Sequence, residues 1–153
     1  MPPLKFKTSI IWDLDGVLFK FRDVSKEAYA KKDYDAVVRF QLVAPPIPQM
    51  VMVARAFALD NNSIIFTARS EEYRNETIEQ IKAANIPQDA VFMRPYGNED
   101  TSPVLKMKMY AQFLGDFKPI AKASLIIEDR KDVANAFNMN GIPALLYRQE
   151  FFK

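Results

Sequence analysis

Ile10-Ile11-Trp12-Asp13-Leu14-Asp15-Gly16 is the stretch on which the fold turns. Residues 9–12 are β-branched and aromatic and read as a buried strand. Asp13 ends that strand, Asp15 follows two residues on, and Gly16 permits a tight turn. Two carboxylates this close create a strong negative field, which a cation or a retained proton must relieve. Mg²⁺ suits an all-oxygen site and accepts phosphate oxygens as remaining ligands. Taken alone, the segment also fits a turn with solvated acids.

Further along, residues 63–67, 90–93, 124–127 and 144–147 read as strands of the same kind. Helical patterns lie between them. Residues 48–59 place Val51, Ala54, Phe57 and Ala58 on one face. Residues 70–84 open with Ser70 as cap and two glutamates. Ser102-Pro103 reads as a cap with a first-turn proline, opening a helix to about residue 114, and 130–140 stops at Gly141. Strand and helix in alternation imply an α/β fold, a Rossmann-like three-layer sandwich around a central parallel sheet. In such sheets ligands bind at the carboxyl ends of the strands. The stretch 19–46 breaks the alternation. It is charged and mixed, with one helix near 25–32, and reads as a small cap insertion over the strand ends; an ordinary long connection is the alternative.

The 153 residues suit one domain, 1–153, including the insertion. The formal net charge of +2 is too small to argue for nucleic acid by bulk electrostatics. Cysteine and histidine are both absent. Thiolate metal sites, cysteine nucleophiles and the commonest general base are thereby excluded. Acid–base or metal chemistry must run on carboxylates. No signal peptide or membrane-length apolar stretch is apparent, so a cytoplasmic location is expected, the host cytoplasm if the chain is phage-encoded.

The residues that follow each strand carry the chemistry. After the second come Thr67, Ala68 and Arg69, a hydroxyl and a guanidinium where a helix is about to start. Helix N-termini bind anions, and an arginine fork matches phosphate; helix capping and a surface charge are the plainer alternatives. After the third comes Arg94-Pro95-Tyr96-Gly97-Asn98, with Lys106 in the first turns of the next helix. After the fourth come Glu128, Asp129, Arg130 and Asp132, of which Asp132 reads as a helix cap. Each signal is weak alone, but together they converge on one crevice.

With these residues in place, the chain resembles the haloacid dehalogenase superfamily. Its pattern is Asp-x-Asp-Gly, then Ser or Thr, then Lys, then a late acidic pair, here Asp13, Asp15, Gly16, Thr67, Lys106, Glu128 and Asp129. Within it the chain is most similar to the 3′-phosphatase domain of phage polynucleotide kinase. Phe66-Thr67-Ala68-Arg69, Phe92-Met93-Arg94-Pro95-Tyr96-Gly97 and Ile126-Ile127-Glu128-Asp129-Arg130 carry that likeness.

The resemblance implies a Mg²⁺-dependent phosphomonoester hydrolase. Asp13 would be the nucleophile, forming an aspartyl-phosphate, and Asp15 the acid and then the base, which needs a pKa raised by its neighbours. Thr67 and Lys106 would hold the phosphoryl oxygens, and Thr67, Ala68, Arg69 and Arg94 would line the substrate site. Asp13, the Asp15 main-chain carbonyl, Asp129 and Glu128 would serve the metal. One departure stands out: Asp100 and Ser102 occupy positions where a basic residue and a lysine-positioning acid are common, with Glu99 or Asp100 as substitutes for the latter. The expected substrate is a nucleic-acid 3′-phosphate end. The alternative is a 5′- or 3′-nucleotidase acting on free nucleotides, because Asp15-Gly16-Val17-Leu18 with Phe21 is also similar to deoxyribonucleotidases. The cap would discriminate, with Phe19, Phe21, Tyr29 and Tyr34 lining a closed pocket or simply packing. An inactive binding protein would lack the nucleophile, the acid or the metal acid, and all three are present. No Gly-x-x-x-x-Gly-Lys-Ser/Thr loop occurs, so no kinase domain is expected in the chain.

Overall fold

In the computed structural model, residues 4–117 and 123–148 are described. Five parallel strands form one sheet: β1 (Ser9–Trp12), β2 (Asn62–Ser70), β3 (Ala90–Arg94), β4 (Ala123–Glu128) and β5 (Ala144–Leu146), in the order β3-β2-β1-β4-β5. β1 is central and buried along its whole length, which is why it reads as a continuous apolar run rather than an alternating one.

Among the described residues, six α-helices accompany the sheet: α1 (Asp23–Ala30), α2 (Tyr34–Gln41), α3 (Pro48–Phe57), α4 (Arg74–Ala83), α5 (Ser102–Asp116) and α6 (Lys131–Met139). Successive strand residues point to opposite faces, so the sheet has two cores. Ile10, Trp12, Ile65 and Ile127 pack with Val51 and Ala54 of α3 and Ile81 of α4. Ile11, Ile64, Phe66 and Ile126 pack with Leu105, Met109 and Phe113 of α5 and Val133 and Phe137 of α6. The result is the three-layer α/β sandwich expected. An aromatic chain runs Phe66–Phe92–Phe113–Phe117, with ring centroids 5.3–6.3 Å apart. It pins α5 against β2 and β3 and thereby fixes the start of α5 at the strand ends.

Two helix boundaries differ from the sequence reading. Ser70 ends β2 rather than capping a helix; a short 3₁₀ turn, Glu71–Tyr73, intervenes before α4, and Ser70 makes no cap hydrogen bond. Thr101, extended at φ −62° and ψ 157°, is the cap of α5, and Ser102 is already inside the helix.

The insertion after β1 is a helical hairpin. α1 falls near the helix expected there, whereas α2 was unforeseen; Asp33 caps it by accepting from the Ala36 N–H at 3.2 Å. Both ends of the hairpin are stitched together. Lys20 N–H donates to Pro45 O at 2.9 Å, and Ile47 N–H donates to Leu18 O at 2.8 Å. Among the described residues, no helix is long and apolar enough to cross a membrane.

Candidate active site

Trp12 pairs with Ile65 on one side and Ile127 on the other. Asp13 follows β1 directly, Glu128 closes β4, and Thr67 lies inside β2, which runs on to Ser70 instead of turning into a helix at Thr67–Arg69 as expected; three adjacent strands thus bring the three residues to the same end of the sheet. Asp13 N–H donates to Ile127 O at 2.9 Å, which carries the sheet pairing one residue past β1 and holds this aspartate in place.

Lys106 reaches the group from the opposite side. Leu105, Met109 and Phe113 bury one face of α5, and Lys106, one residue along, points over the strand ends. Its Nζ donates to Asp13 Oδ1 at 2.8 Å and to Glu128 Oε2 at 2.6 Å, with its side chain only 3% exposed. Glu128 Oε1 accepts from the N–H groups of Asp129 and Arg130. The acid that positions the lysine is thus Glu128, from β4. Asp100 instead accepts from Lys108 and Asn98.

Asp13, Glu128 and Asp129 bring carboxylate oxygens within 4.8 Å of one another. Gly16 makes room for the third. Its φ is +89°, and a Cβ there would lie 2.1 Å from Asp129 Oδ2, so both the turn and the close approach require glycine.

The Asp15 carboxylate faces away from this cluster. Arg69 donates to it twice, Nε to Oδ2 at 2.9 Å and Nη2 to Oδ1 at 2.7 Å, and Gln41 Nε2 adds a third bond to Oδ1 at 2.9 Å. The other Arg69 donors go to Thr77 Oγ1, Gln80 Oε1 and Gln41 O. A guanidinium has five N–H groups, and here all five are engaged within the protein. Thr67 is buried, its Oγ1 accepting from Arg69 N–H at 3.2 Å. Ala68 O accepts from Arg94 Nε, while Arg94 Nη1 holds Asn98 Oδ1 and Asp100 O, bracing the loop after β3. Asp132 lies in the first turn of α6 and pairs with Arg130.

In the cap, Phe19 is buried core, whereas Tyr29 and Tyr34 are exposed and pack edge to face at 5.7 Å. Tyr29 Oη accepts from Arg130 Nη1 at 2.9 Å, which ties the cap to the loop after β4. Gln41, Gln80 and Ser25 escaped the sequence reading. Nothing in their local patterns marks a polar residue for burial beside Asp15.

No family model and no curated protein matches this sequence. Solved structures do. A chain of the Pnkp1/Rnl/Hen1 RNA repair complex superposes with a TM-score of 0.74 at 16% identity, over 97% of this chain and 45% of that one. An L-2-haloacid dehalogenase gives 0.64 at 11% identity, covering 93% of this chain and 85% of that one. A haloacid dehalogenase family enzyme from Bacteroides thetaiotaomicron, in complex with magnesium and inorganic phosphate, gives 0.57 at 10%, covering 97% and 100%. The fold is that of the haloacid dehalogenase-like hydrolases. The chain spans about half the length of the repair-complex chain it matches.

The electrostatics of the site separate its acids. Burial, then the charges of Glu128 and Asp129, push the Asp13 carboxyl well above its ordinary range against the pull of Lys106. Burial, with Glu128 nearby, raises Asp129 to about 6. Glu128 goes the other way: burial opposes its charge, but Lys106 and hydrogen bonds outweigh it. Asp15 is also held low, because Arg69 and Gln41 outweigh its desolvation. Lys106 is raised by Asp13 and Glu128 despite its burial, and stays charged.

Three carboxylates therefore face one ammonium, and for want of further positive charge Asp13 and Asp129 hold their protons to higher pH than free acids do. The donors are all carboxylate oxygens, and Gly16 leaves the third one space. This set fits a hard divalent cation.

Proposed function

We propose that the chain is a Mg²⁺-dependent phosphomonoester hydrolase that works through an aspartyl-phosphate on Asp13. The observation that carries this reading is the placement of Asp13 against Lys106 and within reach of Asp129 and Glu128 at one sheet edge. Asp13, Glu128 and Asp129 would hold Mg²⁺, with the Asp15 main-chain carbonyl as a further ligand. When bound, the ion would neutralise charge on the phosphoryl oxygens and on the nucleophile.

In the first step an Asp13 oxygen bonds to phosphorus while the bond to the leaving oxygen breaks. That oxygen takes a proton from Asp15. In the second step a water gives a proton to Asp15 and its oxygen attacks phosphorus. The Asp13–phosphorus bond breaks, releasing inorganic phosphate and restoring the carboxylate. Lys106, poised on the nucleophile, stabilises the charge that moves onto the equatorial oxygens, and the Thr67 hydroxyl is placed to do the same from β2. Three donors favour the ionised form of Asp15, the reverse of the raised pKa a general acid needs; the arrangement suits the base of the second step, and the acid step requires the carboxyl to take up a proton first. Arg94 sits at the rim and acts on substrate through the loop it braces. Arg69, whose donors are all turned inward, acts through Asp15.

The substrate in this reading is a nucleic-acid 3′-phosphate end. Two features support it. Tyr29 and Tyr34 stand exposed on the cap, as a rim open to a chain rather than a closed pocket. A structurally similar chain belongs to an RNA repair complex. The test compares turnover of a 3′-phosphorylated oligonucleotide with that of 3′- and 5′-mononucleotides in Mg²⁺. The oligonucleotide should be favoured, and Asp13→Asn should abolish release from all three. Equal or faster turnover of mononucleotides would make the chain a nucleotidase. Absence of phosphate release from any phosphomonoester would exclude the hydrolase reading altogether.

A further inference from the structure

We propose that Gln41, at the C-terminal end of cap helix α2, is a positioning residue for Asp15, so that the cap insertion sets the orientation of the acid–base carboxylate as well as overhanging the site. The inference rests on the reading of Asp15 as acid and base.

Gln41 has no solvent exposure, although it lies in a helix that is otherwise mixed and partly exposed. Its side-chain amide is fully used. Nε2 donates to Asp15 Oδ1 at 2.9 Å and to Lys20 O at 3.0 Å. Oε1 accepts from Arg22 N–H at 3.0 Å and from Ser25 Oγ at 2.5 Å. The Arg22 N–H can only donate and the Lys20 carbonyl can only accept, so together they fix which end of the amide carries the nitrogen and point an N–H at Asp15. Ser25 is itself buried and sits on α1. Both cap helices therefore take part in aiming this one donor.

The main chain of Gln41 joins the same network. Its carbonyl accepts from Arg69 Nη2 at 3.3 Å and from Gln80 Nε2 at 2.8 Å. Arg69 Nη2 is the same nitrogen that holds Asp15 Oδ1. Gln41 thus reaches Asp15 twice, directly through its amide and indirectly by orienting the guanidinium. A residue there only to fill space would not need a donor aimed at a carboxylate, and an apolar side chain would pack without the risk of an unpaired amide. Arg69 holds both carboxylate oxygens and Gln41 adds a second donor to Oδ1, so the carboxylate has little rotational freedom. A general acid must meet its leaving oxygen at hydrogen-bond distance, so losing one of two supports should be felt in the chemical step rather than in substrate binding.

The experiment uses leaving-group dependence, which a purely structural role does not move. p-Nitrophenolate leaves without a proton, whereas an alkoxide needs one. Turnover of p-nitrophenyl phosphate and of an alkyl phosphate is measured for the parent, Gln41→Met and Asp15→Asn, with folding checked by thermal melts. Gln41→Met should lower kcat for the alkyl phosphate about tenfold more than for p-nitrophenyl phosphate, with KM little changed, as a fraction of the loss in Asp15→Asn. If Gln41→Met does not fold, Gln41→Asn, which keeps the amide but is one methylene too short to reach Asp15, should show the same selectivity. Selective loss in Asp15→Asn but equal loss on both substrates in a folded Gln41 variant would overturn the proposal alone. Equal loss on both substrates in Asp15→Asn would overturn the acid–base reading, and the proposal with it.

Discussion

Arg69 and Asp15 form a bidentate ion pair, with contacts of 2.9 and 2.7 Å, in which the guanidinium side chain is only 2% exposed. Planarity and a fixed fork make that geometry available to arginine and not to lysine. Arg69→Lys should therefore behave as a disruptive change. It leaves Thr77 Oγ1 and Gln80 Oε1 without their arginine donor, the Gln41 carbonyl with Gln80 Nε2 alone, and Asp15 with at most one ionic contact. Arg69→Ala strands a largely buried carboxylate and should cost about 3–5 kcal/mol in denaturant melts.

The same pair sets an acid limit on stability. Asp15 is held below the usual carboxylate range, so the unfolded chain takes up its proton first as pH falls. The stabilisation is complete above the unfolded value of about 4 and disappears as pH drops through the lower folded value. Urea melts across this range should show that slope in the parent and a flatter one in Arg69→Ala. Parallel curves would mean that the pair contributes nothing to acid sensitivity.

Among the described residues, Lys106 is the cation paired with Asp13 and Glu128 of the Asp13, Glu128 and Asp129 cluster. Lys106→Met keeps the length of the stem and removes the charge. Activity should fall by about 10²–10³ if the ammonium stabilises the phosphoryl oxygens. The folded chain without metal should also lose stability, because three acids then face each other unrelieved. Mg²⁺ should restore more of the melting temperature in this variant than in the parent. Equal restoration would show that ion and ammonium do not share the same negative field.

Gly16→Ala tests the cradle around Asp129. A Cβ at φ +89° is strained in itself, and here it would also meet the Asp129 carboxylate at 2.1 Å. Asp129 has to move, and with it one donor of the acidic cluster. Stability should fall by more than about 1 kcal/mol. Magnesium affinity, titrated by calorimetry, should weaken even under conditions where the variant is fully folded. Unchanged affinity would remove Asp129 from the metal set.

The strands were legible in the sequence because a buried parallel sheet needs unbroken apolar runs, and 9–12 and 63–67 supply them. Asp13, Thr67 and Glu128 were legible for a related reason: parallel strands bring their carboxyl-end residues to the same end of the sheet, and Lys106 was legible only as a cation near the start of a helix that opens there. α2 was obscured because the stretch 19–46 is charged and mixed as a whole, although within Tyr34–Gln41 the charges of Asp35 and Arg39 share one side of the helix, opposite Val37 and Phe40. The partners of buried polar groups were hidden as well. Arg69 reads as an anion ligand because its fork suits phosphate, and only the packed cap shows that carboxylate and amide groups already fill that fork. Likewise the lysine-positioning acid was sought near Asp100, close in sequence. Glu128 takes that part from another strand, through a contact that local spacing does not encode.

Magnesium should stabilise the chain strongly at neutral pH and weakly in acid, for a reason that lies in the proton content of the cluster. Without metal, Asp129 is raised to about 6 and Asp13 lies well above its ordinary range. In the unfolded chain both release their protons near pH 4. Between these values the folded chain binds more protons than the unfolded one, so stability without metal declines as pH rises through that window. A cation replaces exactly the positive charge those protons supply, and it competes with them. Below the window it must displace bound protons, whereas above it the carboxylates are free and repel one another. Melting temperatures with and without millimolar Mg²⁺ at about pH 5 and about pH 7.5 should therefore show the larger gain at the higher value. Asp129→Asn should lose most of that difference, since it removes one of the titrating ligands and keeps the shape. An equal gain at both values in the parent would mean that the ion binds away from Asp13 and Asp129.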